Sequence, residues 1–262
     1  MHGLSAQECR RSQLTFISSQ EPTQTIDFRD LKRAREPVSR SKSGVQGKIA
    51  DVFRSRSRHA ESQNELRGFR ILLASGQVDE WQEQPFLLEY HHGGVKHRYT
   101  PDVLVVWGAH REVVEIKDDV EADLPENQKR FALIHELLAE HGYLFRVWRQ
   151  SEISAEPRLG NVGLLLRYRC LTVSPMEHEN IRRVFAFVSE LCLRTFFETK
   201  GIAVQSVLRM VLDGTLHINW WEPITPDSKI SSVPIGPQVW PFRPRGAQPQ
   251  NCARSSDAAI RI

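Results

Sequence analysis

The chain has 262 residues, 40% hydrophobic and 26% charged, with a formal charge of +3, which fits a soluble globular protein of one large domain or two modest ones. No apolar run approaches the roughly 20 residues of a membrane span, and no apolar core follows a basic start as a signal peptide requires. Cys9, Cys170, Cys192 and Cys252 are far apart and form no Cys-x-x-Cys pair, which argues against a zinc site or a disulfide framework and for reduced thiols in a cytoplasm.

Residues 1–28 are polar and aperiodic and include Pro22, so they read as a poorly packed leader. From Arg29 to Arg58 ten Lys or Arg face only Asp30, Glu36 and Asp51, and Arg33, Arg35, Arg40, Lys42, Lys48, Arg54, Arg56 and Arg58 stand among scattered serines and glycines. Such a run reads as a basic arm over 29–58 that lies along DNA phosphates; the alternative is a solvated leader. Leu66, Phe69, Ile71, Leu72 and Leu73 give a first helix over 59–75. Strands follow over 84–90, 97–107 and 112–117, with His91-His92-Gly93-Gly94 as the turn between the first two. Pro125 opens a helix through Phe131, Leu133, Ile134, Leu137 and Leu138, which His141-Gly142 ends. Tyr143 to Trp148 reads as a fourth strand. Helix, three strands, helix and strand predict a mixed α/β core, without the regular strand–helix alternation of a doubly wound sheet.

A second unit starts near Leu171. Its first helix opens at Ser174 or Pro175 and runs through Ile181, Val184, Phe185 and Val188 to Leu191. After a break at Thr199-Lys200-Gly201 comes a helix from Val204 to Leu212, then a strand from Leu216 to Trp221. Residues 233–262, rich in Pro, Gly, Gln and Ser, read as an extended tail.

Two short runs carry the chemistry: Tyr99-Thr100-Pro101-Asp102 and Glu115-Ile116-Lys117. Asp102 precedes an apolar run, Val103 to Trp107, that turns at Gly108-Ala109-His110-Arg111 and returns as Glu112 to Lys117. Period-two alternation puts Glu115 and Lys117 on one face and Ile116 on the other. Pairing across the hairpin brings Asp102 close to Glu115. Two carboxylates and a lysine on a rigid apolar floor suit a Mg²⁺-dependent phosphodiesterase: hard oxygen ligands hold the metal, and an ammonium serves the attacking water and the phosphate. Asp118, Asp119, Glu121 and Asp123 follow this strand and read as a solvated acidic loop, with metal binding as the alternative. The spacing of His91, His92 and His97 matches no metal motif, so they read as loop or DNA-facing histidines.

These runs resemble the PD-(D/E)xK nuclease superfamily. With Glu61-Ser62-Gln63-Asn64-Glu65 opening a helix, Gln84-Pro85 some twenty residues on, and Glu156-Pro157-Arg158-Leu159, Asn161 and Leu164 to Tyr168 downstream, the pattern resembles TnsA over about residues 40 to 230. TnsA is the endonuclease subunit of heteromeric cut-and-paste transposases. Asn64, where an apolar residue is expected, and Val103, often Phe, depart from the pattern. The resemblance implies a restriction-endonuclease-like mixed sheet flanked by helices over 59–170, and a small winged-helix-like domain over 171–232. It implies that Glu65 joins Asp102, Glu115 and Lys117 in the site, on a second metal or through water, and that the Ile116 carbonyl completes the metal shell. Glu65 is preferred to Glu61, one turn away on the same helix face, for its spacing to Gln84. Gln84 orients substrate or backbone. The implied cofactor is Mg²⁺, with Mn²⁺ as a substitute. The implied activity is cleavage of one strand, the 5′ end, at each transposon end. A TnsB-like DDE transposase cuts the other strand, and a TnsC-like AAA+ ATPase contacts the C-terminal domain, all in a bacterial cytoplasm at the nucleoid. A stand-alone restriction or repair nuclease is the runner-up. A DNA-binding adapter that has lost cleavage is the third reading, against which the intact Asp102, Glu115 and Lys117 argue.

Overall fold

A computed structural model describes residues 14–17, as backbone only, with 47–76 and 78–237. The calls on Arg33, Arg35, Arg40 and Lys42, and on the tail beyond residue 237, lie outside the described residues.

The chain runs through β1 (Leu14–Ile17), β2 (Gly47–Asp51), β3 (Arg56–Ala60), α1 (Gln63–Ala74), β4 (Glu80–Glu83), β5 (Leu87–His92), β6 (Val95–Tyr99), β7 (Val103–Trp107) and β8 (His110–Lys117). It continues through α2 (Asp119–Asp123), α3 (Pro125–Glu140), β9 (Leu144–Arg149), α4 (Gln150–Ile153) and α5 (Arg158–Leu165). The central sheet has the order β4-β7-β8-β9. Its first two pairings are antiparallel and the last is parallel, so the sheet is mixed, as expected. Strict alternation loads both faces. Val103, Val105, Val114, Ile116 and Trp148 join Phe69, Ile71 and Leu72 of α1 in one core. Leu104, Val113, Phe145 and Val147 join Phe131, Ile134, Leu137 and Leu138 of α3 in another. Gly68 lets α1 seat on the sheet, because a Cβ there would meet Ile116 Cδ1 at 3.0 Å and the Trp148 ring at 3.4 Å.

Three sequence expectations change. The predicted strand over 97–107 is two strands, broken at Thr100-Pro101-Asp102. β5 and β6 pair with β1 in a side sheet of their own. β4 was not foreseen: only Trp81 among its four residues is apolar, yet Gln82 and Glu83 are also buried. Residues 47–60 form the hairpin β2–β3, which packs on α1, so part of the segment assigned to a leader and arm packs with the unit expected to begin at 59.

Beyond residue 170 lie α6 (Pro175–Val184), β10 (Glu190–Cys192), α7 (Thr195–Glu198), α8 (Val204–Leu212) and β11 (Lys229–Ser231). Helix α6 stops at Val184, short of Leu191, because Leu191 lies in β10 and pairs with Ile230 of β11. Leu216, Ile218 and Trp220 alternate and are all buried, hence the strand reading, but the ladder there is one bridge between His217 and Ser231. The boundary at 171 does not divide the core. Helix α8 packs on α5, Asn161 Nδ2 donates to the carbonyls of Trp220 and Glu222 at 3.0 and 2.8 Å, and a Cβ on Gly76 would lie 2.5 Å from Gly214 N.

Candidate active site

The β7–β8 register sets Val103 opposite Val114, so Asp102, one residue before β7, stands across from Glu115. Asp102 Oδ2 accepts a hydrogen bond from the Ile116 N–H at 2.7 Å. Ile116 points into the α1-side core. Lys117 Nζ lies 3.3 Å from Glu115 Oε1, so the two share the opposite face, as alternation demands. Glu65 sits in the first turn of α1. Its N–H donates to Ser62 Oγ at 3.1 Å and its Oε2 accepts from the Glu61 N–H at 2.9 Å, a reciprocal cap that ties the carboxylate to the helix start. The charge of Glu65 reaches Asp102. The structure therefore brings together Asp102, Glu115 and Lys117, with Glu65 near enough for its charge to act on Asp102.

Electrostatics mark the cluster. Burial raises the Asp102 carboxyl well above its ordinary value, and the charges of Glu115 and Glu65 push it further the same way. Burial pulls the Lys117 ammonium down, but Glu115 and Asp102 outweigh it and the net shift is upward. Three carboxylates thus crowd one end of the sheet, a charge excess that a divalent cation relieves. Among the described residues no three His, Cys, Asp or Glu side chains close on one point as a ready-made metal cage. The donor set fits a hard cation held by two carboxylates, with the rest of its shell from elsewhere.

Sequence reasoning missed two neighbours. The buried Tyr99 hydroxyl donates to Glu115 Oε2 at 2.6 Å, and burial followed by the Glu115 charge raises its pKa well above the usual range. Arg130 of α3 brings Nη2 to 4.0 Å from Glu115 Oε1. Tyr99 lay inside the Tyr-Thr-Pro-Asp run, but no sequence signal tells where its hydroxyl points; Arg130 is 15 positions from Glu115 and needs the helix to dock. Gln84 is buried beside the site. Its N–H donates to the Asp102 carbonyl at 2.9 Å, and its backbone holds a left-handed φ of 43°, a conformation costly for a residue with a Cβ.

Other candidates separate from the site. Asp118 caps α2 through the Val120 N–H at 2.9 Å, Asp119 accepts from the Ser151 N–H at 2.9 Å, and Asp123 pairs with Arg149 at 2.5 Å; these are structural duties. His97 stacks on Tyr90 with ring centroids 5.2 Å apart. Of the basic arm, Lys48 is exposed and Arg56 half-buried. Arg54 donates to the carbonyls of Val78 and Asp79. Arg58 is a correction: 1% exposed, it pairs with Asp51 and Glu83, each at 3.2 Å, and lies over the Trp81 ring, so no phosphate reaches it. A cavity of about 150 Å³ beside Ile218, Asn219, Glu222 and Lys229 in the C-terminal unit shares no residue with the carboxylate site.

A mixed sheet presents Asp102, Glu115 and Lys117 from one hairpin, the arrangement expected from the resemblance to PD-(D/E)xK nucleases. Residues 75–150 match the family model of the TnsA-like endonuclease N-terminal domain, so this segment is similar to a TnsA-like endonuclease domain. The matched segment runs from before β4 to the start of α4 and holds every site residue except Glu65. No curated protein matches the chain. No helix among the described residues is long and apolar enough to cross a membrane.

Proposed function

We propose that this chain is a Mg²⁺-dependent DNA endonuclease subunit of a heteromeric cut-and-paste transposase, cutting one strand, the 5′ end, at each transposon end. The observation that carries the reading is the convergence of Asp102, Glu115 and Lys117 inside a TnsA-like endonuclease segment. Asp102 and Glu115 would hold Mg²⁺ or Mn²⁺, with the Ile116 carbonyl and Glu65 completing or extending the shell. A bound divalent ion supplies Lewis acidity and lowers the pKa of a coordinated water. Lys117, kept protonated by Glu115 and Asp102, would orient the attacking water and offset charge on the phosphate in the transition state. Tyr99 holds Glu115 in one rotamer, and the Gln84 N–H fixes the backbone at Asp102. In-line attack on phosphorus leaves a 5′-phosphate and a 3′-hydroxyl.

The partners in this reading are a TnsB-like DDE transposase, which cuts the other strand and brings the transposon end, and a TnsC-like AAA+ ATPase that docks on the C-terminal unit. We read that unit as winged-helix-like: helix, strand, two helices, then the His217 bridge and β11. Six of the nine residues of α8 are buried, so this helix is not free to read bases, which favours a protein-docking role for the unit. The compartment is the bacterial cytoplasm, at the nucleoid.

Nicking of a labelled transposon end with Mg²⁺, with and without the DDE transposase, tests the reading. Cleavage is expected only with the partner present, and Asp102→Ala or Glu115→Ala abolishes it. Efficient sequence-specific cleavage by the chain alone would favour a stand-alone nuclease. Retained cleavage in either variant would remove the metal assignment.

A further inference from the structure

Glu115 is held at both oxygens, and the two sides differ. Oε2 faces the buried Tyr99 hydroxyl. Oε1 faces two cations, Lys117 at 3.3 Å and Arg130 at 4.0 Å. Lys117 belongs to the nuclease motif; Arg130 does not. It comes from the second turn of α3, whose position is fixed by Phe131 and Ile134 in the core beneath. The Arg130 side chain is 42% exposed, against 24% for Lys117. Arg58 and Arg146, by contrast, are buried and bound to carboxylates within their own strands' packing. Arg130 is thus a part-exposed guanidinium beside the carboxylate cluster, anchored at its base in α3 and lying 5.2 Å from the Phe131 ring centroid.

Charge decides what such a group does. The carboxyls of Asp102 and Glu115 face Lys117 and Arg130, and the charges of Glu65 and Glu121 act on Asp102 and Lys117, so acidic groups outnumber cations until a divalent ion enters. A guanidinium also offers the planar fork that fits two phosphate oxygens, which the point charge of Lys117 lacks.

We propose that Arg130 is a substrate-binding residue of the cleavage site. It rests against Glu115 when no divalent ion is present and turns to a phosphate of the DNA strand when metal and DNA occupy the site. The inference depends on the reading of Asp102 and Glu115 as metal ligands, so its test measures metal and DNA separately. Mn²⁺ affinity is measured by calorimetry on the full chain. Affinity for a short duplex is measured by fluorescence anisotropy with Ca²⁺ present to prevent cleavage. Arg130→Ala is expected to bind Mn²⁺ as tightly as the unsubstituted chain or more so, because a competing cation has left Glu115. Its DNA affinity in Ca²⁺ should fall about tenfold, in the range of one charge-assisted phosphate contact. Arg130→Lys should restore only part of that loss. Unchanged DNA affinity in Arg130→Ala would overturn the proposal while leaving the metal reading intact. Weakened Mn²⁺ binding in Arg130→Ala would also overturn it, since Arg130 would then be holding Glu115 in place. Failure of the unsubstituted chain to bind Mn²⁺ would overturn the metal reading and this proposal together.

Discussion

Two clusters of buried charge among the described residues are built differently. In the first, Arg58 sits between Asp51 and Glu83, donates also to Gln82 Oε1 at 3.1 Å, and lies 4.3 Å from the Trp81 ring centroid. Its charge and donors are consumed inside the protein. In the second, Asp102, Glu115 and Glu65 crowd together, and the cations facing them, Lys117 and Arg130, stay partly exposed. The first cluster is closed, its cation 1% exposed and its donors engaged, and it joins the β2–β3 hairpin to β4. The second carries surplus negative charge beside open cations, which costs stability and suits it to bind ions from solution. Burial of charge does not mark a site; cations left open to solvent beside buried carboxylates do.

Removing the central cation of the first cluster should have the largest effect. Arg58→Ala leaves Asp51 and Glu83 buried without their shared partner, and a loss of about 3–5 kcal/mol is expected in denaturant unfolding. A loss below about 1 kcal/mol would mean that water reaches the cluster.

Tyr99→Phe tests the second cluster at one atom. The ring still fills its place in the core, so unfolding should change little. Affinity for Mn²⁺ should fall about tenfold, as expected when a group that fixes a metal ligand is removed. Unchanged affinity with lowered stability would make Tyr99 a packing residue only.

The smallest effect has the opposite sign to the first. Asp102→Asn should stabilise the metal-free protein near neutral pH, because a buried carboxyl crowded by Glu115 and Glu65 is replaced by a neutral group. The Asp102 carboxyl titrates above its ordinary 3.8 in the folded state, so the folded protein binds the proton more tightly than the unfolded chain. Wild-type stability from this group therefore falls as pH rises from 3.8 through the folded value, and the Asn advantage grows over that window. Thermal unfolding in EDTA at several pH values measures it; an advantage that shrinks with rising pH would contradict the shift.

Much of the second cluster was legible in sequence, because alternation in Glu112 to Lys117 and the Asp102 hairpin are local patterns. Glu65 followed from family resemblance, and the cap it forms with Ser62 explains why it stands at the helix start. The first cluster was invisible. Arg58 read as part of a basic run, and Gln82 and Glu83 read as too polar for a core strand; each looked exposed because its partner lies about 25 positions away. Arg130 was hidden for the same reason, since docking of α3 supplies the contact. Contacts across residue 171 were not legible either. Glu156-Pro157-Arg158-Leu159 and Asn161 read as the end of a domain, whereas Asn161 clamps the 220–224 segment and Arg158 lies 4.8 Å from the Trp221 ring centroid.

Titration of Mn²⁺ into the full chain by calorimetry tests the central claim most directly, with Asp102→Ala, Glu115→Ala and, as a control in the other cluster, Glu83→Gln. Binding in the unsubstituted chain and in Glu83→Gln, lost in both Asp102→Ala and Glu115→Ala while each variant still unfolds cooperatively, is the expected result. Mn²⁺ binding that survives in both Asp102→Ala and Glu115→Ala would contradict the assignment of these carboxylates as the metal site.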